Sequence, residues 1–222
     1  MSDKIKALIL SDNSSALSSL AKNLELPGVM FHEEFTAKQA MHYNIPRMVV
    51  DMSAMEETEK LNSSLERDIR ESGDYFDGRN NSATCFMTQW DMHKHYESFE
   101  QLGKAAIAVA ESGALAVRTR SDGTNSPIKL YVQEMWGLIY TKGHSTKTHT
   151  HWPSLWSYTY CVNARPCCAP LVFPAVSDGG YKIFPDTSQL IVWPAWINHF
   201  VPEHTCDHER VMISGNLDVI WD

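Results

Sequence analysis

From Ser121-Asp122-Gly123 onward the chain breaks into short runs rich in β-branched and aromatic residues. IKLYVQEMWGLIYTKG, TKTHTHWP, LWSYTYCVN, CAPLVFPAV, YKIFP, QLIVWPAW, NHFV and RVMISGNLDVI follow one another, separated by Gly, Pro, Asn and Asp. Such residues fit a pleated surface, and many short strands at near-regular intervals imply a sandwich or barrel. The half before it has a different period. SSALSSLAKNLEL sets Leu17, Leu20 and Leu24 on one helical side. Ser53 with Glu56 spells a capping box for a helix reaching about Glu71, with Leu61, Leu65 and Ile69 four residues apart. A third helix is expected from about Met92 to Ala110, where Tyr96, Phe99, Leu102, Ala106 and Ile107 form an apolar stripe that reads as core packing. The expected fold is mainly β with α: a jelly-roll core over residues 121–222, with an α-rich part over residues 1–120 packing on it as one integrated domain.

Length and charge narrow the classes. With 222 residues, of which 43% are hydrophobic, the chain can bury a substantial core. A net charge of −8 and the lack of any Lys/Arg run argue against nucleic acid or an anionic membrane as the main partner. No stretch reaches the eighteen or so apolar residues of a membrane span, and the apolar part of MSDKIKALILSDNSS is too short for a signal-peptide core, so a cytoplasmic location is expected. The five cysteines form no CxxC and are odd in number, which fits free thiols in a reducing compartment. Cys167 and Cys168 with His204, Cys206 and His208 contain the atoms of a zinc site. Their spacing departs from the usual paired cysteines, so a polar loop that happens to hold histidines is the preferred reading.

The chemistry concentrates in His149-Thr150-His151, His199 and Arg210. Positions i and i+2 of a strand share a face, so an extended TKTHTHW points His149 and His151 at one ion. Imidazole suits iron, zinc, copper and nickel. His199 lies in the run Trp193–Pro202, which reads as a strand ending at a proline, and Arg210 opens the next strand. Antiparallel pairing of those two strands through EHTCDHE would bring His199 and Arg210 to one pocket. The plain alternatives are two exposed strand histidines, a core histidine beside Trp196, and an arginine paired with Glu203, Asp207 or Glu209. His93 and His95 repeat the H-x-H spelling near a helix start, where i and i+2 do not face each other, and are set aside.

HTHWPSLWSYTYCVN, the Phe-Pro and Trp-Pro turns before His199, and INHFVPEHTCDHERVMISGN together resemble the iron(II)- and 2-oxoglutarate-dependent oxygenases, in their prolyl-hydroxylase-like branch. The resemblance covers roughly residues 131–217, with four separated elements in the family's order. It implies a double-stranded β-helix, iron(II) held by His149, His151 and His199, 2-oxoglutarate as cosubstrate with Arg210 on its far carboxylate, and dioxygen. Arginine suits that role through its planar fork. It further implies hydroxylation of a small-molecule or peptidyl substrate. Tyr158 and Tyr160 share one strand face and are candidates to place a hydroxyl near the cosubstrate, as is Ser214 on the face of Arg210 and Met212. The apolar walls expected around the metal are Trp136, Trp152, Trp156, Trp193 and Trp196.

One departure bears on the metal. The family's carboxylate position is His151, so the site is one negative charge short of the two-histidine, one-carboxylate pattern. Asp178, Asp186 and Glu203 are carboxylates in range, and no spacing selects among them. Three imidazoles also suit zinc, or a cupin dioxygenase that works without 2-oxoglutarate. A metal-bearing jelly roll that only binds is the non-enzymatic alternative. Neither the substrate nor the oligomeric state is readable.

Overall fold

A computed structural model describes residues 6–10, 29–31, 47–55, 57–73, 82–112, 117–119, 123, 125–174 and 180–220. In chain order the elements are β1 (Lys6–Leu10), β2 (Val29–Phe31), β3 (Arg47–Asp51), α1 (Thr58–Ser72), β4 (Phe86–Met87), α2 (Glu97–Glu111), β5 (Val117–Thr119) and β6 (Asn125–Pro127). There follow β7 (Leu130–Tyr140), β8 (Thr146–His149), β9 (Trp156–Asn163), β10 (Leu171–Phe173), β11 (Tyr181–Ile183), β12 (Gln189–Pro194), β13 (His199–Val201) and β14 (Arg210–Val219). The expected helix over SSALSSLAKNLEL lies outside the described residues.

An 8-stranded sheet runs β2-β1-β3-β12-β9-β14-β7-β4, and a 4-stranded sheet runs β11-β10-β13-β8. Apart from the parallel pair β1–β2, the pairings are antiparallel. The larger sheet joins strands from before residue 120 to those after it, flanking β12, β9, β14 and β7 on both sides. No helix among the described residues is long and apolar enough to cross a membrane.

Both faces of the larger sheet are covered, which explains why its strands read as nearly continuous apolar runs. On one face Tyr158, Tyr160, Leu190, Val192, Val211 and Ile213 pack with Leu65 and Ile69 of α1 and Phe99, Leu102 and Ala106 of α2. On the other, Trp136, Leu138, Tyr140, Ile191, Trp193 and Met212 meet Leu171, Phe173 and Val201 of the smaller sheet. Strand alternation assigns neighbours to opposite layers. Gly137 permits the close approach of α1, since a Cβ there would overlap Ile69. The helices are tied by Ser98 Oγ donating to Asp68 Oδ2, a carboxylate that also takes Arg67.

Three local expectations change. The first helix begins at Thr58 and has no capping box: Ser53 N–H bonds Asp51 Oδ1, and Thr58 Oγ1 donates to the Met52 carbonyl at 2.6 Å, so residues 51–55 form a turn before the helix. The expected helix from Met92 is a short 3-10 turn over Met92–Lys94, then an extended Tyr96, then α2. The run Trp193–Pro202 is two strands. A turn closed by Ile197 N–H to the Pro194 carbonyl at 3.1 Å takes the chain from β12 in the larger sheet to β13 in the smaller.

Candidate metal centre

That sheet-crossing turn delivers His199 to the smaller sheet, where it stands directly opposite His149 in the antiparallel pair β13–β8. His151 lies just past β8, its backbone N–H held by the Ala195 carbonyl at 2.8 Å. Ligand nitrogens of the three side chains lie within 4.8 Å of one another. The ring centroids are 4.4 Å apart for His149 and His199, 4.9 Å for His149 and His151, and 5.0 Å for His151 and His199.

Hydrogen bonding sets the tautomers of two rings. His149 Nδ1 lies 2.8 Å from the Lys147 carbonyl, and His199 Nδ1 lies 3.0 Å from the Ile197 carbonyl. A carbonyl only accepts, so each Nδ1 carries the proton and each Nε2 keeps its lone pair. A carbonyl behind the ring is the usual orienting contact of a metal-ligating histidine. His151 Nε2 lies 3.2 Å from His199 Nε2, so these nitrogens converge on one point.

Burial keeps the cluster neutral. Desolvation pushes His199 down to about 3, assisted by the neighbouring His149, although the bond to Ile197 opposes the shift. His151 is lowered well below 6.5 by burial and then by His199 and His149, and burial also lowers His149. An imidazole must be unprotonated to ligate, so burial favours the ligand-ready form. Trp136 and Trp193 wall the cluster, with ring centroids 5.7 Å from His151 and 5.0 Å from His199.

The donor set fits a divalent ion with borderline-soft preferences. No carboxylate joins it among the described residues. Asp186 and Glu203 are exposed, and Asp178 lies outside the described residues.

His199 and Arg210 come together by a different route from the one expected. β14 pairs with β7 and β9 in the larger sheet, while β13 belongs to the smaller. The two residues therefore face one cavity of about 430 Å³ from opposite sheets. Arg210 is 3% exposed, its Nε has no hydrogen-bond partner, and its guanidinium lies over the Tyr140 ring at 4.8 Å. It makes no ion pair among the described residues. Two of the carboxylates that would have explained it are engaged elsewhere, Asp207 with Lys142 and Glu209 with Arg70, and Glu203 is exposed. A buried, unpaired guanidinium is costly unless an anion completes it.

Tyr158 and Tyr160 do not line this cavity, which corrects the expectation. Both turn to the helix side of the sheet: Tyr158 packs in that core, and Tyr160 donates to Asn62 Oδ1 of α1 at 2.7 Å. Thr159 between them faces the cavity instead. Ser214 is on the cavity wall with its hydroxyl 3.4 Å from Thr159 Oγ1, but Met212 separates it from Arg210 along the strand. Tyr140 and Thr146, joined hydroxyl to hydroxyl at 2.7 Å, stand at the Arg210 end and were missed; burial pushes the Tyr140 phenol up, keeping it neutral. The clue was present in alternation, since Trp136, Leu138 and Tyr140 share a face. Of the expected walls, Trp136, Trp152 and Trp193 line the cavity, whereas Trp156 packs on the helix side. Trp196 is 60% exposed.

The free-thiol expectation is also corrected, because Cys167 and Cys206 are paired as a disulfide, while Cys85, Cys161 and Cys168 form none. Cys168 lies close to that pair. His204 is fully buried: its Nδ1 accepts from Ala169 N–H at 3.3 Å and its Nε2 donates to the His208 carbonyl at 2.7 Å. It is a structural histidine tying the loop before β14 to the turn before β10.

The sequence matches no protein-family model and no curated protein. Its fold does have solved counterparts. A Pseudomonas putida prolyl-4-hydroxylase superposes with a TM-score of 0.54 at 17% identity, over 74% of this chain and 86% of that one. SnoK, a non-heme alpha ketoglutarate dependent carbocyclase from nogalamycin biosynthesis, gives a TM-score of 0.60 at 11% identity, over 83% and 84%. HygX from Streptomyces hygroscopicus, solved with nickel and 2-oxoglutarate bound, gives 0.55 at 10% identity, over 83% and 87%. The chain has the jelly-roll fold of the iron(II)/2-oxoglutarate oxygenases, prolyl hydroxylases among them.

Proposed function

We propose that this jelly roll is an iron(II)- and 2-oxoglutarate-dependent dioxygenase that hydroxylates a small-molecule or peptidyl substrate. The observation that carries the reading is the pairing of two features across one cavity: three convergent imidazoles on one sheet and a buried, unpaired arginine on the other. Iron(II) with 2-oxoglutarate would supply the oxidative chemistry, in which dioxygen is consumed, 2-oxoglutarate leaves as succinate and carbon dioxide, and a substrate C–H bond is oxidised.

The protein's own contribution is positional. His149, His151 and His199 would hold the metal, with the Lys147 and Ile197 carbonyls fixing two of the rings. Arg210 would hold the far carboxylate of 2-oxoglutarate through its fork, and the Tyr140 phenol, packed against the guanidinium and bonded to Thr146, stiffens that end. Ser214 and Thr159 offer hydroxyls along the intervening wall. Trp136 and Trp193 exclude water from the histidines.

One observation favours a second reading, a three-histidine dioxygenase that needs no 2-oxoglutarate: the absence of a carboxylate beside the histidines among the described residues. The two separate under anaerobic conditions. Adding 2-oxoglutarate to the iron(II)-loaded protein is expected to raise a weak visible charge-transfer band, which the second reading does not produce.

A further inference from the structure

The end of the cavity away from Arg210 is built differently, and we propose that it binds a protonated amine, making the substrate an aliphatic ammonium compound with Glu134 as its charge partner. The substrate assignment rests on the oxygenase reading above. β7 and β14 run in register from Tyr140↔Arg210 to Glu134↔Asn216, then slip: Leu217 pairs with Val132, and Gln133 is the extra residue. A bulge of this kind re-aims side chains. Here Gln133 and Glu134, consecutive in the strand, both line the cavity together with Asn216.

These polar groups are held by neutral donors. Asn216 Nδ2 donates to Glu134 Oε2 at 3.1 Å, and Ser157 Oγ in turn donates to Asn216 Oδ1 at 3.1 Å. Ser154 Oγ donates to Gln133 Oε1 at 2.8 Å. Glu134 forms no ion pair among the described residues, and its Oε1 has no protein donor among them. It is the one acidic residue among the described residues lining the cavity. A half-buried carboxylate, fixed through one oxygen by a neutral donor, attracts a cation carrying hydrogen-bond donors.

The surroundings suit the same ligand. Trp136 follows Glu134 by two residues on the same strand face, and its ring packs tilted against Trp90 at 4.4 Å as well as facing His151. Trp152 stands at the mouth, 72% exposed despite its size. Indole faces beside a carboxylate attract an ammonium by cation–π contact and shelter its alkyl chain. Arg210 lies six residues along β14 from Asn216, about 20 Å at strand rise. The cavity therefore carries opposite charges at its two ends, with His151 packed against Trp136 between them. An anion is favoured at one end and a cation at the other.

Calorimetry with n-hexylamine, protonated at pH 7.5, against hexan-1-ol tests this directly on the metal-loaded protein. The amine is expected to bind at least tenfold more tightly than the alcohol. Glu134→Gln preserves the shape and an acceptor for Asn216, and is expected to remove that preference while leaving the weak alcohol binding as it was. Equal affinity of wild type for amine and alcohol would overturn the proposal even without the variant, as would undiminished amine binding by Glu134→Gln. Titrating 2-oxoglutarate into the same wild-type preparation tests the underlying reading separately. Failure there with the amine preference intact would remove the 2-oxoglutarate-dependent assignment and leave the ammonium site.

Discussion

Replacing His199 with alanine is expected to abolish stoichiometric iron(II) binding, while His93→Ala leaves it intact. His199 is 4% exposed, is paired across β13–β8 with His149, and has its Nδ1 proton committed to the Ile197 carbonyl. Its Nε2 is thus a preoriented lone pair, and removing it leaves two ligands where three converged. His93 sits in the 3-10 turn Met92–Lys94, outside the cluster. Anaerobic dialysis followed by metal analysis reads the result; full occupancy in the His199 variant would end the site assignment. His151→Asp carries a subtler expectation. It restores one negative charge beside a divalent ion, so iron binding and 2-oxoglutarate turnover are expected to hold or rise. Loss of iron there would show that the third imidazole has a role a carboxylate cannot take.

Arg210→Ala is expected to weaken 2-oxoglutarate binding at least tenfold while leaving iron affinity nearly unchanged. Truncating one partner of a buried, hydrogen-bonded charge pair typically costs on the order of 2–5 kcal/mol. Arg210 fits that class: it is 3% exposed, stacked on Tyr140 and without an internal carboxylate among the described residues. Arg210→Lys is expected to recover only part of the loss, because a point charge does not reproduce the planar fork. Calorimetry on the iron-loaded wild type and both variants decides it. Equal affinity in all three would remove the cosubstrate assignment and favour the three-histidine dioxygenase or a binding module.

How far the site was legible follows from which signals are local. The spacing of His149 and His151 marks the last residue of one strand and a residue just past it, and the later order of His199 and Arg210 survives the fold because adjacent β-runs line a common interior. The route was not legible. Trp193–Ile197 is apolar throughout, so nothing in its periodicity marks the crossing at Pro194–Ile197 from one sheet to the other. Tyr158 and Tyr160 were assigned to the wrong side for a related reason. Alternation shows that they share a face, but both faces of β9 are buried, one by helices and one by the smaller sheet, so polarity cannot tell inside from outside. The bulge that sets Gln133 beside Glu134 in the cavity depends on the register of β14, a partner distant in sequence. Cys167 and Cys206 likewise meet only because two loops are brought together by His204. The expectations for α1 and α2 held where apolar residues recur at helical spacing, and slipped at the ends, where Thr58 and Tyr96 answer to turns rather than caps.

Formation of succinate from 2-oxoglutarate by the purified, iron(II)-loaded protein in air, under reducing conditions, tests the central claim most directly. Slow uncoupled turnover is expected in wild type without added substrate, stopped by a chelator, absent in His199→Ala and stimulated by an aliphatic amine. No succinate from the iron-loaded wild type, with or without amines or peptides added, would contradict the account.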